Sequence, residues 1–239
     1  MAAQPAAMSV GGAGRMRADA RRNRERLLDA ACDVLVERGA DAPLDEIARR
    51  AGVGIATLYR RFPDRAALLR QVALELLRRS ADEARRALAE EPDAFQALAR
   101  YMHRALDLRI AAVMPTLAAR IAPDAELAAA RAASIQQLER IIAGARGAGL
   151  LRPDVAPGDI GLLIVRLSRP LPGPFPATVN RGLAHRHLDL VLDGLRANPG
   201  ASLAGPALGF QDLAALADAA APPGRAEAAP PSGARPPGG

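Results

Sequence analysis

Five side chains in one short stretch are suited to meeting a polyanion. Within GVGIATLYRRFPDRAALL, Gly52 to Leu69, Thr57 and Tyr59 offer hydroxyls, and Arg60, Arg61 and Arg65 offer guanidinium groups. Hydroxyls bond phosphate oxygens or base edges, and a guanidinium reaches a phosphate or grips a guanine edge with two hydrogen bonds. Gly54 and Ala56 carry so little side chain that a backbone can approach closely, and Ile55 can meet a thymine methyl. The chain is otherwise poor in aromatics, with no Trp, two Tyr and four Phe, so this crowding is not a compositional accident.

The elements that must hold these residues are helical. Half of the 239 residues are apolar, mostly Ala, Leu, Ile and Val, and all 32 basic residues are Arg. Ala, Leu and Arg are strong helix formers. Apolar residues recur at helical spacing over Arg17–Arg38 through Leu27, Leu28, Ala31 and Leu35, and Gly39 ends the run. Further helices are expected at 44–51, with Pro43 in its first turn, and at 55–61. Asp64 is expected to cap a long helix over 65–89. The pattern continues with 94–109, an irregular piece between Pro115 and Pro123, then 124–148, 158–169 and 177–196. No strand is expected, so the fold class is all-α.

Two ends fall outside this pattern. Residues 1–16 are small and unpatterned and read as a disordered arm. Residues 198–239 are rich in Ala, Pro and Gly and read as a disordered tail, because they cannot bury enough apolar surface to offset their ordering entropy. Inside the tail FQDLAALADAA has helical spacing, but a transient turn is the preferred reading.

Other chemistries find little support. One cysteine, Cys32, permits no intrachain disulfide, and its default role is packing rather than redox sensing. The three histidines include His185 and His187, which point to different faces of a helix. No phosphate-binding glycine loop or metal-ligand cluster is visible, so neither catalysis nor a cofactor is expected. No apolar run approaches the ~18 residues of a membrane span, and the N-terminus lacks a signal-peptide pattern, so a cytoplasmic location is expected.

Three short helices, the second and third joined by a tight Gly52-Val53-Gly54 turn, have the plan of a helix-turn-helix. Ile47, Ala48, Val53, Leu58 and Phe62 would pack inward, leaving Ile55, Ala56, Thr57, Tyr59 and Arg61 outward. The stretch LLDAACDVLVERGADAPLDEIARRAGVGIATLYRRFPDRAALL resembles the DNA-binding domain of the tetracycline-repressor (TetR) family of bacterial regulators. The spacing of Ile47-Ala48, Ala51-Gly52-Val53, Thr57-Leu58-Tyr59, Phe62-Pro63 and Leu68 is the most specific part.

The resemblance implies that Tyr59 and Arg65 hold backbone phosphates and that Gly54, Ile55, Ala56 and Thr57 face bases. Arg65 stands where the family usually has Lys, and Arg61 where it often has His. The family's Thr near the start of the second helix is missing here, where Ala42-Pro43-Leu44 stand, and Gly54 replaces a common Ser. Ahead of the first helix, Arg15, Arg17, Arg21, Arg22, Arg24 and Arg26 form a basic segment able to follow phosphates.

The resemblance divides the chain into a DNA-binding domain at 17–70, with its helix-turn-helix at about 43–62, and a ligand-binding and dimerisation domain at 71–197. It implies a homodimer on a palindromic operator, formed through the last two helices, and a repressor released by a small molecule. Ile160, Leu163, Ile164 and Leu167, and Leu183, Leu188, Val191, Leu192 and Leu195, supply apolar stripes there. Phe95, Leu98, Met102, Leu106 and Met114 are candidate apolar walls of a ligand pocket, with Tyr101, His103 and Arg109 as polar contacts. A nonspecific architectural DNA binder and a helical enzyme or carrier stay open as alternatives.

Overall fold

The computed structural model describes residues 10–118, 120–197 and 202–219, and of residues 10–23 and 217–218 the backbone alone. They form helices α1 (Val10–Arg38), α2 (Leu44–Ala51), α3 (Ile55–Arg61), α4 (Arg65–Glu90), α5 (Ala94–Leu108), α6 (Ile110–Ala118), α7 (Ala125–Gly147), α8 (Pro157–Leu167), α9 (Ala177–Leu195) and α10 (Phe210–Ala219). Among the described residues there is no strand, only an antiparallel bridge between Leu151 and Arg196. The fold is all-α.

Local chemistry sets most boundaries. Asp64, Asp93 and Asp124 cap α4, α5 and α7 by accepting hydrogen bonds from the Ala67, Gln96 and Leu127 amides at 2.7, 2.8 and 2.9 Å. Such caps contribute about 1 kcal/mol each. Gly52 ends α2 at φ +69°, a conformation that strains any residue with a Cβ. That turn sends the Val53 amide back to the Ala48 carbonyl at 3.0 Å and re-aims the chain into α3.

Two cores result. In the first, Leu28, Val34 and Leu35 of α1 and Ile47 of α2 meet Leu58 of α3 and Leu68 and Val72 of α4, joined by Val113 and Leu117 of α6. In the second, Phe95, Leu98 and Met102 of α5 pack with Ile141 of α7, Ile160 of α8 and Leu188 and Leu192 of α9. The guanidinium of Arg196 lies over the Phe95 ring, 4.4 Å from its centroid.

Four expectations need correction. First, α1 begins at Val10 rather than Arg17, since extending a nucleated helix costs far less than starting one; residues 1–9 of the expected arm lie outside the described residues. Second, Pro43 precedes α2 as its N-cap residue instead of opening its first turn.

Third, the helix expected between the two prolines lies upstream, and Pro115 sits inside α6. An interior proline costs about 3 kcal/mol. Burying Val113 and Leu117 completely returns roughly 1.5–3 kcal/mol each, which is enough to keep the helix.

Fourth, the tail segment expected as a turn forms α10. It docks on α8 where two glycines leave room. A Cβ on Gly158 would stand 2.1 Å from the Leu208 carbonyl oxygen, and one on Gly161 would stand 2.8 Å from the Phe210 ring. Residues 198–201 and 220–239 of the expected tail are outside the described residues.

Candidate nucleic-acid interface and ligand cavity

Helix α3 is oriented by two side chains four residues apart. Leu58 and Phe62 are both buried in the first core, so the opposite face turns to solvent. Ile55 is 40% and Tyr59 50% exposed, and Gly54, Ala56, Thr57, Arg60 and Arg61 are exposed as well. Among the described residues Arg60 and Arg61 have no ion pair, so their charge is available to a partner. Helix α2, which supports α3, is tied to α1 by Arg50, whose guanidinium donates to both Glu37 carboxylate oxygens at 2.7 and 2.8 Å.

Two expected phosphate contacts stand differently. Arg65 is half-buried, and its Nη1 donates to the carbonyls of Ala40 and Ala42 at 2.8 and 2.7 Å. It splints the loop between α1 and α2. Arg17 lies on α1, but its side chain is outside the described residues.

A cavity of about 570 Å³ opens between α4, α5, α6, α7 and α8. Its walls are mainly apolar: Ala73 and Leu77 from α4, Ile110 and Met114 from α6, Leu127 and Leu138 from α7, and Ile164 from α8. Phe210 of α10 closes one side. The volume lies in the range of drug-sized ligand sites.

Of the pocket residues expected from sequence, Tyr101 and Met114 lie on this wall. Phe95, Leu98 and Met102 are instead buried in the second core, on the α5 faces that meet α7 and α9. Leu106 and Arg109 line a second cavity of about 370 Å³ beside α1 and the α8–α9 connection. His103 stacks on His185 of α9, Nδ1 to Nδ1 at 2.8 Å, and its Nε2 faces the Asp189 carboxylate at 3.1 Å.

Sequence reasoning missed Ser80, Ser134, Asp124 and Arg131 on the wall of the large cavity. A signal for the serines existed. Each interrupts an apolar stripe on a long helix, Leu76–Ser80–Ala84 on α4 and Leu127–Ser134–Leu138 on α7. Burial pushes the Tyr101 hydroxyl above its ordinary pKa, so it stays protonated as a donor.

Helix α6 touches both regions. Its residues wall the cavity, while Val113 and Leu117 sit in the first core, with α1, α2, α3 and α4. At its ends Arg109 ion-pairs with Asp33 of α1, and Arg120 grips Asp41 in the α1–α2 loop at 2.5 and 2.6 Å.

An outward α3 carrying hydroxyls and exposed arginines, seated by a tight turn on α2, defines a helix-turn-helix DNA-binding regulator. Residues 27–72 match the family described as bacterial regulatory proteins, tetR family. Residues 91–197 match the transcriptional regulator SbtR-like, C-terminal domain. A TetR transcriptional regulator from Streptomyces coelicolor is 33% identical with a TM-score of 0.55, over 73% of this chain and 99% of its own. A TetR transcription regulatory protein from Mycobacterium vanbaalenii is 34% identical, TM-score 0.55, over 76% and 99%.

The TetR-like regulator LfrR from Mycobacterium smegmatis, solved in complex with proflavine, is 28% identical, TM-score 0.51, over 72% and 96%. No curated protein matches the chain at a significant level. The chain belongs to the TetR family of transcriptional regulators. Among the described residues no helix is long and apolar enough to cross a membrane.

Proposed function

We propose that this protein is a repressor that binds a palindromic operator as a homodimer and leaves it when a small molecule fills the cavity between α4 and α8. The single observation that carries this reading is the placement of α6. It walls the cavity and is pinned at both ends to the reading head, by Arg109–Asp33 and Arg120–Asp41. A guest that displaces α6 pulls on the α1–α2 loop that Arg65 also braces, and so re-aims α3. Among its relatives, LfrR was solved with a small molecule, proflavine, which supports a ligand-responsive role.

Pairing through α8 and α9 is supported by apolar side chains left at their surface. Leu162 on α8 and Val179 and Leu190 on α9 are exposed, with Leu190 at 66%. Much of the stripe read from the sequence is spent inside the subunit, where Ile160, Ile164, Leu188, Leu192 and Leu195 are buried. Two heads related by a twofold axis read two half-sites about one helical turn, ~34–36 Å, apart. Such a regulator works in the cytoplasm alongside its DNA.

Selection of bound fragments from a random DNA pool tests this reading. Recovery of an inverted repeat is expected, and failure to enrich any sequence favours a nonspecific binder instead. Sedimentation of the free protein tests the dimer.

A further inference from the structure

The apolar walls of the large cavity are interrupted by three hydroxyls. Ser80 of α4, Tyr101 of α5 and Ser134 of α7 all lie on its surface, and each is more than nine-tenths buried. Ser134 Oγ donates to Ser80 Oγ at 2.9 Å, and Ser80 Oγ shares a hydrogen bond with the Tyr101 hydroxyl at 3.0 Å. Tyr101 also interacts with Ser134, so the three hydroxyls satisfy one another while the cavity is empty. Among the described residues no side-chain hydrogen bond leads out of the trio. A hydroxyl proton rotates about its C–O bond, so one of the three can turn from its neighbour to an acceptor that arrives from the cavity.

The charges on the wall limit what that guest is. Among the described residues two charged side chains stand there, Asp124 and Arg131. Both Asp124 oxygens are engaged: Oδ2 by Arg70 Nε at 2.6 Å, and Oδ1 by Arg70 Nη2 at 3.1 Å and the Leu127 amide at 2.9 Å. Arg131 is exposed and has no ion pair among the described residues. A cation entering the cavity would find no available carboxylate and would be repelled by Arg131.

We propose that the cavity takes a predominantly apolar, uncharged or anionic molecule whose carbonyl or ether oxygen accepts a hydrogen bond from the Ser80–Tyr101–Ser134 trio, and that it rejects cations. The proposal rests on the cavity being the effector site.

Calorimetric titration of the full chain without DNA tests it, using 2-undecanone, undecane and proflavine as probes. The ketone and the hydrocarbon match in length and differ by one oxygen. The ketone is expected to bind about tenfold tighter than the hydrocarbon, the effect of one buried hydrogen bond. In the double variant Ser80→Ala/Tyr101→Phe that preference falls to about twofold or less with undecane binding unchanged, and proflavine does not displace the ketone. Should the double variant melt before titration, Tyr101→Phe alone carries the test, with about a threefold loss for the ketone only.

Equal binding of ketone and hydrocarbon to the wild type, no binding of either, or tighter binding of proflavine overturns the proposal. Because these titrations contain no DNA, they judge the ligand class alone. Ketone binding that leaves DNA affinity untouched counts against the released-repressor reading and leaves the ligand class standing.

Discussion

Arg65, at the first position of α4, donates through one nitrogen to the carbonyl of Ala42 at 2.7 Å, and the same nitrogen also reaches Ala40. The residue that family resemblance assigns to a phosphate therefore also braces the loop that carries α2. Hydrogen bonds from a charged group are worth about 1.5–3 kcal/mol. Arg65→Ala is expected to lower stability by roughly 1–3 kcal/mol in urea denaturation, in the absence of any DNA. An unchanged midpoint would return Arg65 to a purely DNA-facing role.

Tyr59 and Arg61 make the contrasting case, since both face solvent and neither is part of a core. Tyr59→Phe and Arg61→Ala are expected to leave the urea midpoint within about 0.5 kcal/mol of wild type. Both should weaken binding to every DNA sequence. Arg61→Ala should also reduce the slope of log K against log salt by about one if it neutralises a phosphate. Ile55→Ala, by contrast, should change which sequence is preferred. Fluorescence anisotropy at several salt concentrations measures all three.

Acid sensitivity follows from Asp124. Hydrogen bonds from Arg70 hold its carboxyl down at about 2 in the folded chain, below the ~3.9 of an unfolded aspartate. A depressed folded value means the contribution is fully present above about pH 4 and disappears as pH falls toward 2. The pair is open to solvent, so the effect is modest and salt-sensitive. Asn still caps a helix but lacks the charge. Asp124→Asn should melt earlier than wild type at pH 6, and the two melting curves should converge as pH approaches 2.

Cys32 should be silent toward thiol reagents. Burial, aided by the negative charge of Asp29, pushes its thiol up to about 12, and the reactive species is the thiolate. Ellman's reagent at pH 8 should label the native chain over hours and the urea-unfolded chain within minutes. Rapid labelling of the native chain would instead mark Cys32 as a candidate redox sensor.

The seat of α10 is built from glycines. Any side chain at Gly161 would push into the Phe210 ring, which also walls the cavity. Gly161→Val is expected to lift α10 away and expose Phe210 to chymotrypsin, with cleavage there at least several-fold faster than in wild type. Unchanged proteolysis would mean that α10 is held by something other than this contact.

Much of this protein is legible in its sequence because the relevant physics is local. The turn at Gly52, the cap at Asp64, and the inward pair Leu58 and Phe62 follow from backbone sterics, side-chain capping and helical spacing. Together they orient α3 without reference to anything distant. Family-specific spacing around Thr57-Leu58-Tyr59 then carries the function class.

What the sequence left undecided depends on which helices meet. Phe95, Leu98 and Met102 have the same apolar spacing whether they line a cavity or fill a core; only the arrival of α7 and α9 on α5 placed them in the core. Ser80, Tyr101 and Ser134 lie on three different helices, and their hydroxyls form a chain only because α4, α5 and α7 converge. Pro115 reads as a helix breaker until the burial of Val113 and Leu117 outweighs its cost. Local sterics and periodicity determined the reading head and its outward face; the cavity, its hydroxyl trio and the α6 brace were decided by long-range packing, because a side chain's neighbours across the core are not encoded in its own spacing.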